Sequence, residues 1–377
     1  MKTLVKMIGG LLIGCLAGLL IGMVCVTLFS DTTPAEFIAK LGKLELSEGL
    51  TVLLVSIAVF LLSLFLLVTL HEAGHLAFGL MSGYRFVSFR IFNLTFIKLD
   101  GRLRVKRFSV AGTGGQCLLT PPDKPLHEIP IFWYNLGGVA ANLLALLLVA
   151  PLLCLDLQPL MRTSLVIFCL TDLFLILTNG IPMRLGGIAN DAHNALELNR
   201  NERSKRAMVL QLRTNALIQA GVRPKDMPDA WFETPADPDY QNALEVSLPL
   251  MAASRLVDQM AWEEAYAAFD ALYAHREQIL PLYVKEIVCE LIFCALITGR
   301  TDRAQCLYTE DIKRYLTIYR KVMSSKERIL CGIHLLLEHD RAKAQAIYEA
   351  VRQRQDAYLL QGEVKSDVAI MEAMLLQ

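Results

Sequence analysis

Charge is scarce in this chain. Of its 377 residues only 20% are Asp, Glu, Lys or Arg, whereas 54% are hydrophobic and the mean hydropathy is +0.42. That balance excludes an ordinary soluble protein. The 37 basic residues equal the 37 acidic ones, so no excess charge points to nucleic acid, and no nucleic-acid motif occurs. Cys-x-x-Cys pairs are missing as well. The nine cysteines, an odd number, fall singly in apolar stretches or helical patterns, which excludes a disulfide scaffold and a thiolate metal site and leaves reduced packing residues.

The two halves differ. Residues 1–185 are apolar with sparse charges, while residues 195–377 are charge-rich and mixed in sign. Four runs approach the ~20 residues that a membrane helix needs, at about 5–29, 51–80, 130–155 and 160–181. The first follows Lys2 and Lys6 and is apolar from Met7 to Phe29. That is longer than the ~7–15 residues of a signal-peptide core, so it reads as a retained span. Gly10, Gly14, Gly18 and Gly22 give it the small-residue spacing of a helix packed in lipid.

Between the second and third runs, Tyr84–Val110 is rich in β-branched and aromatic residues around a Leu99-Asp100-Gly101 turn signal. It predicts a β-hairpin over about 84–110. Its basic residues, Arg85, Arg90, Lys98, Arg102, Arg104, Lys106 and Arg107, place this loop on the cytoplasmic side by the positive-inside rule. Loops 30–49 and 156–160 then lie outside and both termini inside. Ala111–Pro122 is punctuated by glycine and proline. It reads either as a surface loop or as a re-entrant segment beside a wet cavity.

Past Asn190 the composition changes. A helix over 196–220 and a Pro/Asp-rich linker over 221–241 precede amphipathic helices to the end of the chain. Ala265-x-x-x-Phe269, Ala304-x-x-x-Tyr308 and Ala344-x-x-x-Tyr348 recur about 39–40 residues apart, similar to tetratricopeptide-like repeats, with a plain helical bundle as the alternative. The expected fold is mainly α. A polytopic membrane bundle of about four spans with a β-hairpin insertion (1–195) leads through a helix and linker (196–241) to a soluble, cytoplasmic repeat-like domain (242–377).

The most specific pattern is His71-Glu72-Ala73-Gly74-His75, at the end of the second run. On a helix the two imidazoles project from one face, one turn apart, as two ligands of a tetrahedral Zn²⁺ must. Glu72 lies beside them as a base for water. Ionisable groups at this depth are costly and mark function. A catalytic zinc needs a third protein ligand, and Asp191, His193 and Asp172 are the candidates. Proline and paired glycine break the fourth run at Ile181-Pro182-Met183-Arg184-Leu185-Gly186-Gly187, letting a carboxylate fold back. Asp172, in mid-span, could instead be a structural carboxylate or a partner to a ligand histidine.

This constellation resembles the site-2 protease family of intramembrane zinc metalloproteases. The resemblance runs over most of residues 50–195. It rests on His71–His75 in a membrane helix, on the later Asn179…Pro182…Asp191 loop, and on Gly137-Gly138-Val139-Ala140-Ala141-Asn142, similar to the family's Gly-Pro-x-x-Asn segment. It departs where the family's Leu-Asp-Gly is Asn190-Asp191-Ala192 and where Val139 replaces a common proline. The resemblance implies one Zn²⁺ per chain on His71, His75 and Asp191, Glu72 as the catalytic base, and Asn142 in substrate binding. It further implies a membrane-embedded or membrane-proximal protein substrate presented along a hairpin edge. Substrate classes consistent with it are membrane regulators, signal-peptide remnants and precursor peptides. The compact four-span layout leads to the expectation of a bacterial cytoplasmic membrane. A different class of function is a membrane-anchored scaffold whose helices recruit a cytoplasmic protein, with a vestigial metal site; the intact Glu72 argues against it. A metal transporter has least support.

Overall fold

The structure is a computed structural model. It describes residues 46–99, 102–108, 114–185 and 187–376, together with Thr33, Ala35, Glu36 and Ala39. The span expected at 5–29 lies outside the described residues. Described residues form thirteen α-helices and a small amount of antiparallel sheet, so the chain is mainly helical.

Three helices are long and apolar enough to cross a membrane. Helix α1 runs Leu46–Met81, α2 runs Phe132–Val149 and continues through a 3₁₀ turn to Cys154, and α3 runs Pro159–Gly180. The chain divides into two compact units. In the first, the described residues 46–67 and 144–174 leave Leu53, Leu62, Leu147, Leu148 and Phe174 more than half exposed. Such a surface is stable only against lipid or another apolar partner. Hydroxyls there bond back into their own helix, as Thr171 Oγ1 does to Ile167 O at 2.7 Å.

The second unit, residues 68–143 and 175–377, contains a four-stranded antiparallel sheet instead of a lone hairpin. Strands β1 (Arg85–Ile91), β2 (Leu94–Leu99), β3 (Arg102–Arg107) and β4 (Gly115–Thr120) lie in the order β3-β2-β1-β4. The β2–β3 register pairs Leu99 with Arg102; the expected turn residues Asp100 and Gly101 lie outside the described residues. The Gly/Pro segment expected to be irregular supplies β4. Its backbone groups pair with β1 from Gly115↔Ile91 to Thr120↔Arg85, so non-local pairing overrides weak local β propensity. Arg90, counted above among the loop's basic residues, is buried at 2% exposure.

After α3, a two-stranded ribbon, β5 (Arg184–Leu185) and β6 (Ile188–Ala189), leads into α4 (Asp191–Glu197) and α5 (Glu202–Gln219). Residues of α5 pack on β4 through a core that includes Leu119, Ile129, Ile131, Leu198 and Val209. The 221–241 segment has no periodicity but is strapped down. Arg223 donates from Nε and Nη2 to Asp258 Oδ1 at 2.9 and 2.6 Å, and Met227 and Phe232 are buried.

Eight helices follow: α6 (Ala243–Asp258), α7 (Trp262–Ala274), α8 (Pro281–Ile297), α9 (Thr301–Leu307), α10 (Glu310–Tyr319), α11 (Ser324–Gly332), α12 (Arg341–Gln353) and α13 (Gln361–Leu375). Helix α8 is buried from Ile287 to Leu296, which makes it the central element of this part. Ala265, Ala304 and Ala344, the small residues of the recurring pattern, are all fully buried.

Candidate metal centre

Where α1 and α2 cross, small residues set the spacing. A side chain at Gly137 would place its Cβ 2.6 Å from Gly74 O, and one at Gly74 would strike Gly137 O. The backbones therefore touch, as small-residue crossings in lipid allow. At that crossing the His71 ring lies directly against Gly138, where an added Cβ would sit 2.5 Å from Nε2.

The HExxH pair is one turn apart on α1, and Asp191 comes to it from the start of α4. His71 Nε2 and His75 Nε2 are 3.2 Å apart, and Asp191 Oδ2 is 2.9 Å from the first and 3.3 Å from the second. Among the described residues, these three are the ones whose donor atoms gather tightly enough to hold a metal ion. Four ligands at ~2.0–2.1 Å around tetrahedral zinc are about 3.3 Å from one another, and the observed edges are close to that.

The tautomers agree. His75 Nδ1 lies 2.8 Å from Tyr134 O, a carbonyl that can only accept, and His71 Nδ1 lies 3.1 Å from Asn142 Oδ1. Each Nδ1 therefore donates, and each Nε2 turns a lone pair toward the same point. Two lone pairs and a carboxylate oxygen repel unless a cation lies among them. A single proton bridges one edge of the triangle; a metal ion satisfies all three. In the metal-free chain these lone pairs take up protons instead, and the hydrogen bonds and charges of the protonated His71 and His75 pull the Asp191 carboxyl down further than burial pushes it up. It stays ionised, as a ligand must.

Asn190 holds that carboxylate in place. Its Nδ2 donates to Thr178 O at 2.8 Å and Ile181 O at 2.6 Å, while its Oδ1 accepts from Met183 N and His193 N. The asparagine that departs from the resembled pattern thus caps α4 and ties the Asp191 loop to the end of α3.

Glu72 is buried on the neighbouring side of α1, against β4. A Cβ on Gly115 would lie 2.5 Å from Glu72 Cγ. The carboxylate thus sits where the edge of the sheet begins. Arg90, also buried, donates from Nη1 to Phe92 O at 3.0 Å and from Nη2 to Gly115 O at 3.1 Å, fixing that edge beside Glu72. Arg90 was missed as a site residue; its period-two spacing from the buried Ser88 on β1 was the available signal.

The other expected residues fall elsewhere. Asn142 is fully buried with its Oδ1 3.1 Å from His71 Nδ1. His193 accepts from Arg184 Nε at 3.1 Å and stays out of the cluster. Asp172, buried in the first unit, is not part of it either. Compared with protein-family models, with curated proteins and with solved structures, the chain matches none.

Proposed function

We propose that the chain is a zinc-dependent endopeptidase that cuts membrane-embedded or membrane-proximal segments of protein substrates. The observation that carries this reading is the His71–His75–Asp191 triangle with Glu72 next to it, on a helix long and apolar enough to span a bilayer. The reading agrees with the resemblance to site-2 proteases.

One zinc ion per chain, held by His71, His75 and Asp191, would supply Lewis acidity toward water and the scissile carbonyl. Asn142 and the Tyr134 carbonyl keep both imidazoles in the tautomer that binds it. Glu72 takes the proton from the attacking water and returns it to the leaving amine. A membrane helix hides its amides in its own hydrogen bonds, so the substrate must unwind. The start of β4, an edge strand whose Gly115 touches Glu72, offers backbone pairing to the unwound segment. In this reading Asn142 acts on His71, and substrate selection falls to the sheet.

The localisation that follows is a multi-pass protein of a bacterial cytoplasmic membrane. The basic β3, the repeat-like helical domain and both termini would be cytoplasmic, and the domain would be free to meet a cytoplasmic protein. The test compares membranes carrying wild-type protein with membranes carrying Glu72→Gln. Both proteins should hold close to one zinc per chain, while uncut substrates accumulate only with the variant. Continued cleavage by Glu72→Gln would refute the mechanism, and wild-type protein free of zinc would favour the scaffold.

A further inference from the structure

Far along the chain from the candidate metal centre, the helical part of the second unit contains a largely apolar cavity with polar groups set into its walls. Its volume is about 280 Å³, and residues of α5, α6, α8, α11 and α13 line it. At ~30 Å³ per water this is room for several molecules, near the lower end of small-ligand sites at ~300–1,000 Å³. Ser254, exposed on α6, lines it too, so the cavity reaches the surface.

The charges around it do not balance. Lys326 Nζ is 2.5 Å from Glu286 Oε2. Arg328 spends Nη2 on Glu290, at 2.8 and 2.7 Å, and Nε on Asp367 at 2.7 Å. These two cations thus answer three carboxylates. A fourth, Glu363, lines the cavity one turn before Asp367, with Ser325 as its side-chain hydrogen-bond partner. Buried carboxylates ordinarily have cationic partners. Burial, with Asp367 adding to it, pushes the Glu363 carboxyl up to about 7, because Lys326, bound to Glu286, pulls it down by less.

A guanidinium donor is also unused. Arg328 lines the cavity with only 3% of its side chain exposed, yet its Nη1 has no hydrogen-bond partner. Thr214 Oγ1, on the α5 wall, is buried and unpartnered as well. Native proteins leave few such groups. One wall therefore calls for a cation and another offers donors to an anion.

We propose that this cavity binds an amino-acid-sized zwitterion, with its ammonium group on Glu363 and its carboxylate on Arg328 Nη1 and Thr214 Oγ1. The helical domain then carries a small-molecule site of its own, whether or not the metal centre is a protease.

Two substitutions test this without disturbing the Arg328 bridges. Thr214→Val exchanges an unpartnered hydroxyl for a methyl, and Glu363→Gln removes the charge of a half-buried carboxyl. Neither should lower the unfolding temperature. The full-length protein in detergent is titrated with each of the twenty proteinogenic amino acids, by thermal unfolding and calorimetry. At least one should raise the wild-type unfolding temperature, and each variant should weaken its binding roughly tenfold or more. If none of the twenty shifts the wild type, the cavity holds water only and the proposal fails. It fails equally if the amino acid that binds does so with the same affinity in both variants. Should either variant misfold, the other decides alone.

Discussion

Replacing Gly138 by alanine pits two effects of opposite sign against each other. In an unobstructed helix interior the exchange stabilises by about 1 kcal/mol, since glycine is the poorer helix former. Here the new Cβ would lie 2.5 Å from His71 Nε2, 2.6 Å from Cε1 and 2.7 Å from Cδ2. Ordinary carbon contacts are about 3.5 Å or more, so the ring must retreat by roughly 1 Å. It cannot do so and keep both Asn142 at Nδ1 and the Asp191 oxygen 2.9 Å from Nε2. Losing the orientation of one ligand typically costs 10–100-fold in metal affinity. Displacing Nε2 itself should cost at least that, while helix content stays at the wild-type level or rises. The assay is zinc affinity by chelator competition, with circular dichroism on the same samples. Wild-type zinc affinity in Gly138→Ala would show that His71 does not use Nε2 as a ligand, and the triangle would have to be abandoned. The neighbouring Gly137→Ala makes a contrast, because its Cβ meets the backbone of Gly74; that variant should lose stability before it loses zinc.

Asn142→Leu removes the acceptor from His71 Nδ1 and should weaken zinc binding by roughly 10–100-fold at unchanged helix content; an unchanged dissociation constant would show that the ring needs no such partner. Arg90→Met frees the Phe92 and Gly115 carbonyls, so the β4 edge beside Glu72 should loosen. Turnover should drop on the order of 100-fold, the penalty of about 1 Å of misplacement, with zinc content intact; simultaneous zinc loss would make Arg90 a general stability residue. Glu363 gives a pH dependence. Its carboxyl is raised to about 7 from an ordinary 4.5, so the folded state holds the proton more tightly than the unfolded one. The associated stability is complete below pH 4.5 and is lost as pH rises through about 7. At ~1.4 kcal/mol per unit this amounts to about 3 kcal/mol at most. Thermal unfolding between pH 5 and 8 should fall in the wild type, and Glu363→Gln should flatten the slope; parallel slopes in the two proteins would refute the assignment.

What the sequence made legible were features set by composition or by the identity of a few side chains. Apolar runs located α1, α2 and α3 to within a few residues, because hydrocarbon thickness fixes the length of a span. The HExxH pair announced itself through helical geometry alone. Strand β4 was hidden, because Gly115-Gln116-Cys117-Leu118 has little intrinsic β preference and becomes a strand by pairing with β1, distant in sequence. Arg90 was missed as a site residue for a related reason. A charge in a loop is normally solvated, and only the finished sheet puts this one behind the edge. Asn190 looked like a defect in a motif until its four hydrogen bonds placed it under the Asp191 loop.

The candidate metal centre depends on a crossing more than on a motif. His71 and His75 can face one point from any helix, but the third donor arrives from residues 116–120 positions later, and its aim depends on where α2 lies. Gly74 against Gly137 lets the two backbones touch, and that contact has two consequences. It brings the Tyr134 carbonyl within 2.8 Å of His75 Nδ1 and Asn142 within 3.1 Å of His71 Nδ1, so α2 supplies the acceptor that fixes the tautomer of each ring. It also leaves Gly138 as the floor under His71. A larger residue at any of these glycines would leave the HExxH string unchanged and remove the geometry that would let it hold a metal ion. The glycines of the α1–α2 crossing are therefore as much a part of the site as the ligands they position.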